Sequence, residues 1–245
     1  MNSSGSGGLA QVASAWAVHA FTATGAVLAF LALMAMLDAN WPLALLWLLA
    51  ALVVDGIDGS LARWARVKEG APRIDGGALD LIIDYLNYVF VPAVLIWRAG
   101  LVPEALAPAL VAAILVSALY NFTRVDMKSG DNYFRGFPAL WNLVAFYLFV
   151  TRPSPGWAAI AIALLAALTF APVHFVHPFR VRDYGRWLPL LACLWAAATA
   201  ALLWPGWSEE VRAGVLGVSL ASGALLLALG LLRTLRGPRA TEESR

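Results

Sequence analysis

Residues 41–62 read WPLALLWLLAALVVDGIDGSLA, and residues 77–97 read GALDLIIDYLNYVFVPAVLIW. Each stretch has about the 20-residue length that carries an α-helix across a bilayer core. Each also holds two aspartates that a purely lipid-facing helix would avoid. Asp55 and Asp58 close the first stretch, and Asp80 and Asp84 open the second. A carboxylate at the centre of a membrane helix costs about 2.5–3.5 kcal/mol on insertion scales. The two stretches therefore read as neighbouring membrane helices with chemistry at one end.

The rest of the chain agrees with that class. Of its 245 residues 61% are hydrophobic and 13% charged, with a mean hydropathy of +0.75. Soluble domains carry about 25% charged residues, so this chain lacks the polar surface of a water-soluble fold. Apolar segments run over roughly 14–37, 41–62, 77–97, 104–123, 138–151, 156–175, 187–204 and 211–232. The expectation is an all-α, polytopic transmembrane bundle of about eight spans, with six also compatible, in a single domain over residues 1–245. Polar residues 233–245 form an expected flexible tail. The Ser/Gly-rich leader Asn2 to Gly8 lacks a basic flank, so no cleaved signal is expected. Cys193 is the single cysteine, which excludes an intrachain disulfide.

Alternating the segments from an inside amino terminus puts 14 of the 17 basic residues on one side. Only Arg98, Arg152 and Arg212 fall opposite. The positive-inside rule then places both termini, and the aspartates, on the cytoplasmic side.

Spacings of three and four residues put helical side chains on one face. Asp55 and Asp58 thus share a face, as do Asp80 and Asp84, and two helices can direct four carboxylates into one pocket. Four such groups repel unless a cation sits among them. An all-oxygen set suits a hard divalent ion such as Mg²⁺ or Mn²⁺. His19, His174 and His177 are scattered, which argues against zinc. Gly56, Gly59, Gly76 and Gly77 flank the aspartates and leave room for a phosphate or nucleotide to approach the backbone.

Residues 55–63, DGIDGSLAR, followed by 76–84, GGALDLIID, resemble the signature of the CDP-alcohol phosphatidyltransferase family. That signature is D-x-x-D-G-x-x-A-R and then G-x-x-x-D-x-x-x-D. Twelve residues separate Arg63 from Gly76, a few more than is usual in the family. The stretches 66–85 (RVKEGAPRIDGGALDLIIDY), 126–142 (DMKSGDNYFRGFPALWN) and 173–180 (VHFVHPFR) are similar to the bacterial branch whose acceptor alcohol is choline.

The resemblance implies transfer of a phosphatidyl group from CDP-diacylglycerol to choline, with release of CMP, in a bacterial inner membrane. It implies metal ligation by Asp55, Asp58, Asp80 and Asp84, holding two Mn²⁺ or Mg²⁺ ions. It implies a CDP pocket formed by Asp55, Asp58, Gly59, Ala62, Arg63 and Gly76, and it makes Asp84 the general base. Choline carries a fixed charge that aromatic faces attract. Tyr85, Tyr88, Tyr120, Tyr133, Phe134 and Trp141 are the candidates, Tyr88 first because it follows Asp84 by four residues. Arg124, Arg135 and Arg180 are candidates for the lipid phosphate, with membrane topology as their competing role. Small residues at Gly214, Gly217, Ser219, Ala221 and Gly223 suit close helix packing, and the family often forms homodimers. No nucleic-acid partner is expected. The rival readings are another acceptor alcohol (serine, inositol or glycerol phosphate) or a cation transporter built on the aspartates.

Overall fold

The structure is a computed structural model, and it describes residues 4–237. The apolar stretches are helical in the expected order. α1 (Ser4–Leu37) and α2 (Trp41–Trp64) are followed by the short α3 (Val67–Gly70). One continuous helix then runs from Gly76 to Arg98. It consists of α4 (Gly76–Asp84), a π-helical stretch (Tyr85–Phe90) and α5 (Val91–Arg98). α6 (Ala107–Thr123), α7 (Trp141–Thr151), α8 (Pro155–Leu168), α9 (Trp187–Ala201) and α10 (Glu209–Arg236) complete the helical series. Strands β1 (Phe134–Arg135) and β2 (His174–Phe175) pair antiparallel, Phe134 with Phe175 and Arg135 with His174.

Among the described residues, four helices are long and apolar enough to cross a membrane: 8–37, 41–64, 76–98 and 209–236. The other four apolar helices are shorter. At about 1.5 Å per residue, the 11 residues of α7 cover only about half of a bilayer core. The protein is thus a polytopic helical membrane protein, whose described residues form eight apolar helical segments, four of them of spanning length. Exposed side chains such as Val27, Phe30, Leu164, Leu190 and Leu227 are apolar, as a lipid-facing surface requires.

Three boundaries differ most from the sequence reading. α1 begins at Ser4, inside the Ser/Gly-rich leader, and not near residue 14. The segment expected over 156–175 stops being helical at Leu168 and ends in β2. Pro172 disfavours helical backbone at Ala171 and supplies no N–H of its own. The tail expected from residue 233 is still helical through Arg236, and its residues from 238 onward lie outside the described ones.

The chain forms two compact units. The first contains the segments up to Leu101 together with Trp141–Phe149; the second contains Val102–Leu140 and the chain from Val150 onward. In the first, α1 packs along α2, α3, α4 and the π-helical stretch. Lipid offers no hydrophobic drive between helices, so close packing of small residues must hold them together. Ala15, Ala29, Ala32 and Ala35 of α1 and Ala44 and Ala51 of α2 are all buried. Gly25 permits the closest approach, since a Cβ there would run into Ile83. Asn87 Nδ2 donates across this contact to the Gly25 carbonyl and also to the Ile83 carbonyl, at 3.0 Å each.

The π-helical stretch has a local cause. Pro92 would thrust its ring at the carbonyl four residues back in a regular α-helix, and it donates no hydrogen bond. A widened turn just before it relieves both problems. The starts of α2 and α4 are fixed by caps: Asn40 accepts from the Leu43 N–H, and Asp75 accepts from the N–H groups of Gly77 and Ala78.

In the second unit α6 packs on α8, and α9 on α10, which also meets β2. Tyr133, Val181, Leu188 and Leu229 form a buried cluster. Around it Arg233 pairs with Asp131, the Tyr133 hydroxyl donates to Asp183 at 3.1 Å, and the His174 N–H donates to Thr234 at 2.7 Å.

Candidate active site

The C-terminal half of α2 brings in Asp55 and Asp58, and α4 brings in Asp80 and Asp84. One carboxylate oxygen from each of Asp55, Asp80 and Asp84 lies within 4.8 Å of the other two. All three residues are partly buried. Carboxylates this close oppose each other's ionisation unless a cation joins them. Three converging oxygens fit a hard divalent ion and offer nothing soft for zinc or copper. Asp55 also accepts a hydrogen bond from the Tyr88 hydroxyl at 2.5 Å, and such a partner orients a ligating carboxylate.

Asp58 takes a different direction from Asp55. It is 5% exposed and accepts a 2.9 Å hydrogen bond from Thr22 Oγ1 on α1. Of the four aspartates singled out in the sequence, three therefore converge on one point, and the fourth is held beside it by a neighbouring helix.

A cavity of about 480 Å³ opens next to this cluster. Asp58, Gly59, Ala62, Arg63 and Gly76 line it, together with Asp80. These are the residues expected to form the nucleotide pocket, with Asp55 lying in the carboxylate cluster instead. Asp80 belongs to both sites, so the cavity adjoins the acidic cluster. Arg63, Arg66 and Lys68 bring positive charge to the same wall. Arg63 donates to Ser60 Oγ at 3.0 Å, which holds its guanidinium along α2.

The remaining candidates are spread over both units. Tyr88 and Trp141 are buried in the first, and Tyr85 is partly buried there. In the second unit Tyr133 is fully buried, and Tyr120 packs at a tilt against Phe170 with 4.8 Å between ring centres. Phe134 stacks on His177 at 5.3 Å. Arg124 grips Asp126 with two hydrogen bonds of 2.7 and 2.9 Å, and Arg135 adds a third at 3.2 Å. The Arg124 guanidinium holds the Asp126 carboxyl down at about 2. Arg180 is exposed. His177 is pushed down to about 4, first by burial and then by Lys128 and Arg180, so its imidazole is neutral at pH 7.

The sequence reading did not single out Thr22, Arg66 or Lys68, and it treated His19 only as a scattered histidine. The available signal was polar His19 and Thr22 three residues apart, on one face of an otherwise apolar helix.

Comparison with known proteins supports the same class. A profile of the CDP-alcohol phosphatidyltransferase family matches residues 17–173. That region includes all four aspartates and the cavity. The chain belongs to the CDP-alcohol phosphatidyltransferase family. Among its relatives is the phosphatidylcholine synthase of Pseudomonas aeruginosa, 50% identical over 192 residues, covering 78% of this chain and 80% of the relative. The phosphatidylcholine synthase of Bradyrhizobium diazoefficiens is 43% identical over 219 residues, 89% of this chain and 80% of the relative. That of Borreliella burgdorferi is 35% identical over 183 residues, 74% and 78% of the two chains.

Proposed function

We propose that the protein transfers the phosphatidyl group of CDP-diacylglycerol to choline, producing phosphatidylcholine and CMP. The observation that carries this reading is Asp80, shared between a three-carboxylate cluster and a cavity walled by glycines and Arg63. A divalent cation held by Asp55, Asp80 and Asp84, either Mn²⁺ or Mg²⁺, would neutralise charge on the diphosphate and on departing CMP. Asp58, the other aspartate of α2, is assigned to a second ion.

The chain's own groups do the rest. Gly59 and Gly76 leave the backbone open to the nucleotide, and Arg63 offers its forked donors to a phosphate oxygen. Asp84 accepts the proton of the choline hydroxyl as that oxygen bonds to phosphorus. The phosphorus–oxygen bond to CMP breaks in the same displacement, and CMP leaves through the cavity.

Choline recognition is assigned to aromatic faces among Tyr85, Tyr120, Tyr133 and Trp141, with the Tyr88 hydroxyl held by Asp55, and lipid-phosphate contact to Arg124, Arg135 and Arg180. The placement of basic residues supports a bacterial inner-membrane protein with this site and both termini on the cytoplasmic side. The small-residue stripe of α10 supports a homodimer.

Purified protein incubated with CDP-diacylglycerol and a panel of labelled alcohols tests the reading. CMP should be released with choline and Mn²⁺ or Mg²⁺, and not with chelator. Release with serine, inositol or glycerol phosphate instead would move the protein to another acceptor. Metal flux in vesicles without any need for CDP-lipid would favour transport.

A further inference from the structure

α1 contributes Val18, His19 and Thr22 to the wall of the cavity. Thr22 has its partner in Asp58. His19 is 6% exposed, and its Nε2 has no hydrogen-bond partner among the described residues. Buried polar atoms nearly always have one, so an orphan on a cavity wall points to a ligand that completes it. The ring lies against the start of α4, where a Cβ on Gly76 would come within 3.1 Å of Cε1. The missing side chain at Gly76 is what lets the imidazole occupy that place.

Position along α1 says which part of a ligand His19 meets. Thr22 marks the acidic end of the cavity through Asp58. His19 lies three residues earlier, close to one helical turn, or about 5 Å. Ala15 and Gln11, one and two turns earlier again, lie against Gly70 of α3. His19 therefore faces the middle of the cavity, between the carboxylates and α3. A nucleotide whose phosphates reach Asp80 places its nucleoside there.

Resting on the function proposed above, we infer that His19 Nε2 hydrogen-bonds the nucleoside half of the CDP group. His19 thereby becomes a nucleotide-binding residue on a helix that supplies none of the eight signature positions. The contact does not involve the metal, so losing it should weaken nucleoside-containing ligands and spare phosphate-only ones.

Calorimetry on the purified protein with CMP, and separately with inorganic pyrophosphate, provides the test, each with Mn²⁺ present. His19→Phe keeps the ring's bulk and removes the nitrogens. It should bind CMP about tenfold more weakly, the loss of one good hydrogen bond, with pyrophosphate affinity and choline KM unchanged. His19→Ala allows the same comparison should the phenylalanine variant not fold. Unchanged CMP affinity in a folded variant overturns the inference, and so does an equal loss for CMP and pyrophosphate. Failure of the wild-type protein to bind CMP at all would instead overturn the proposed function.

Discussion

The Tyr88 hydroxyl donates its hydrogen bond to Asp55, tying the π-helical stretch to the aspartate that α2 contributes. Spacing alone put Tyr88 on the face of Asp84, as a candidate for choline. The structure gives its hydroxyl another task and leaves the ring 6% exposed. Tyr88→Phe separates the two roles. Outer partners of metal ligands are worth about 10–100-fold in metal affinity. The Mn²⁺ concentration for half-maximal activity should therefore rise about tenfold or more, while choline KM stays within about twofold. A raised choline KM with normal metal dependence would return Tyr88 to the choline site.

Asp84→Asn removes a proton acceptor and leaves a group of the same shape. Turnover should fall by about 10²–10⁴-fold, the usual contribution of a general base. CMP binding, measured by calorimetry, should persist, because the cavity is lined by Asp58 and Asp80 and not by Asp84. Substantial remaining turnover would take the base role away from Asp84.

Thr22→Val preserves volume and deletes the donor to buried Asp58. An unpaired buried acceptor costs about 1–3 kcal/mol, so melting in detergent should shift down and activity should drop with it. Thr22→Ser should restore both. A valine variant as stable and active as the parent would show that Asp58 does not depend on α1.

Arg233 and Asp131 pair in the second unit, with side chains 9% and 8% exposed. Removing one partner of a buried pair costs about 3–5 kcal/mol because the other charge is stranded. Arg233→Met should be strongly destabilised in thermal melts. The double change Arg233→Met with Asp131→Leu should recover most of the loss.

His177 gives the second unit a pH dependence. Its folded pKa, about 4, lies below the ordinary histidine value of 6.5. The unfolded chain therefore binds more protons between those values. The contribution of His177 to stability is complete above about pH 6.5 and is lost as pH falls toward 4. Melting temperature should drop between pH 7 and pH 5, and less so in His177→Phe, which keeps the stack on Phe134. Equal slopes for parent and variant would exclude His177 as the source.

The helical segments were legible because apolar length is a strong signal in a membrane chain. The aspartates were legible because charge is out of place there. Three features were not. Asp55 and Asp58 share a helical face by spacing, yet only the structure shows that their carboxylates have different partners, Tyr88 and Thr22. The end of α8 at Leu168 hides inside an apolar run, and only Pro172 hinted at it. The small sheet joining Phe134–Arg135 to His174–Phe175 is a long-range pairing of two-residue strands, too short to leave a periodic pattern.

The π-helical turn after Asp84 has one more consequence. A helix advances about 100° per residue, so a turn holding one extra residue offsets everything beyond it by about that angle. Residues 76–84 and 91–98 therefore keep separate angular registers within one rod. Substitutions that retune the contacts of α5 need not rotate Asp80 or Asp84. Deleting a single residue between Tyr85 and Phe90 would merge the registers and swing the carboxylates relative to their neighbours. The widened turn works as a coupling: one half of the helix can be repacked while the other half stays aimed.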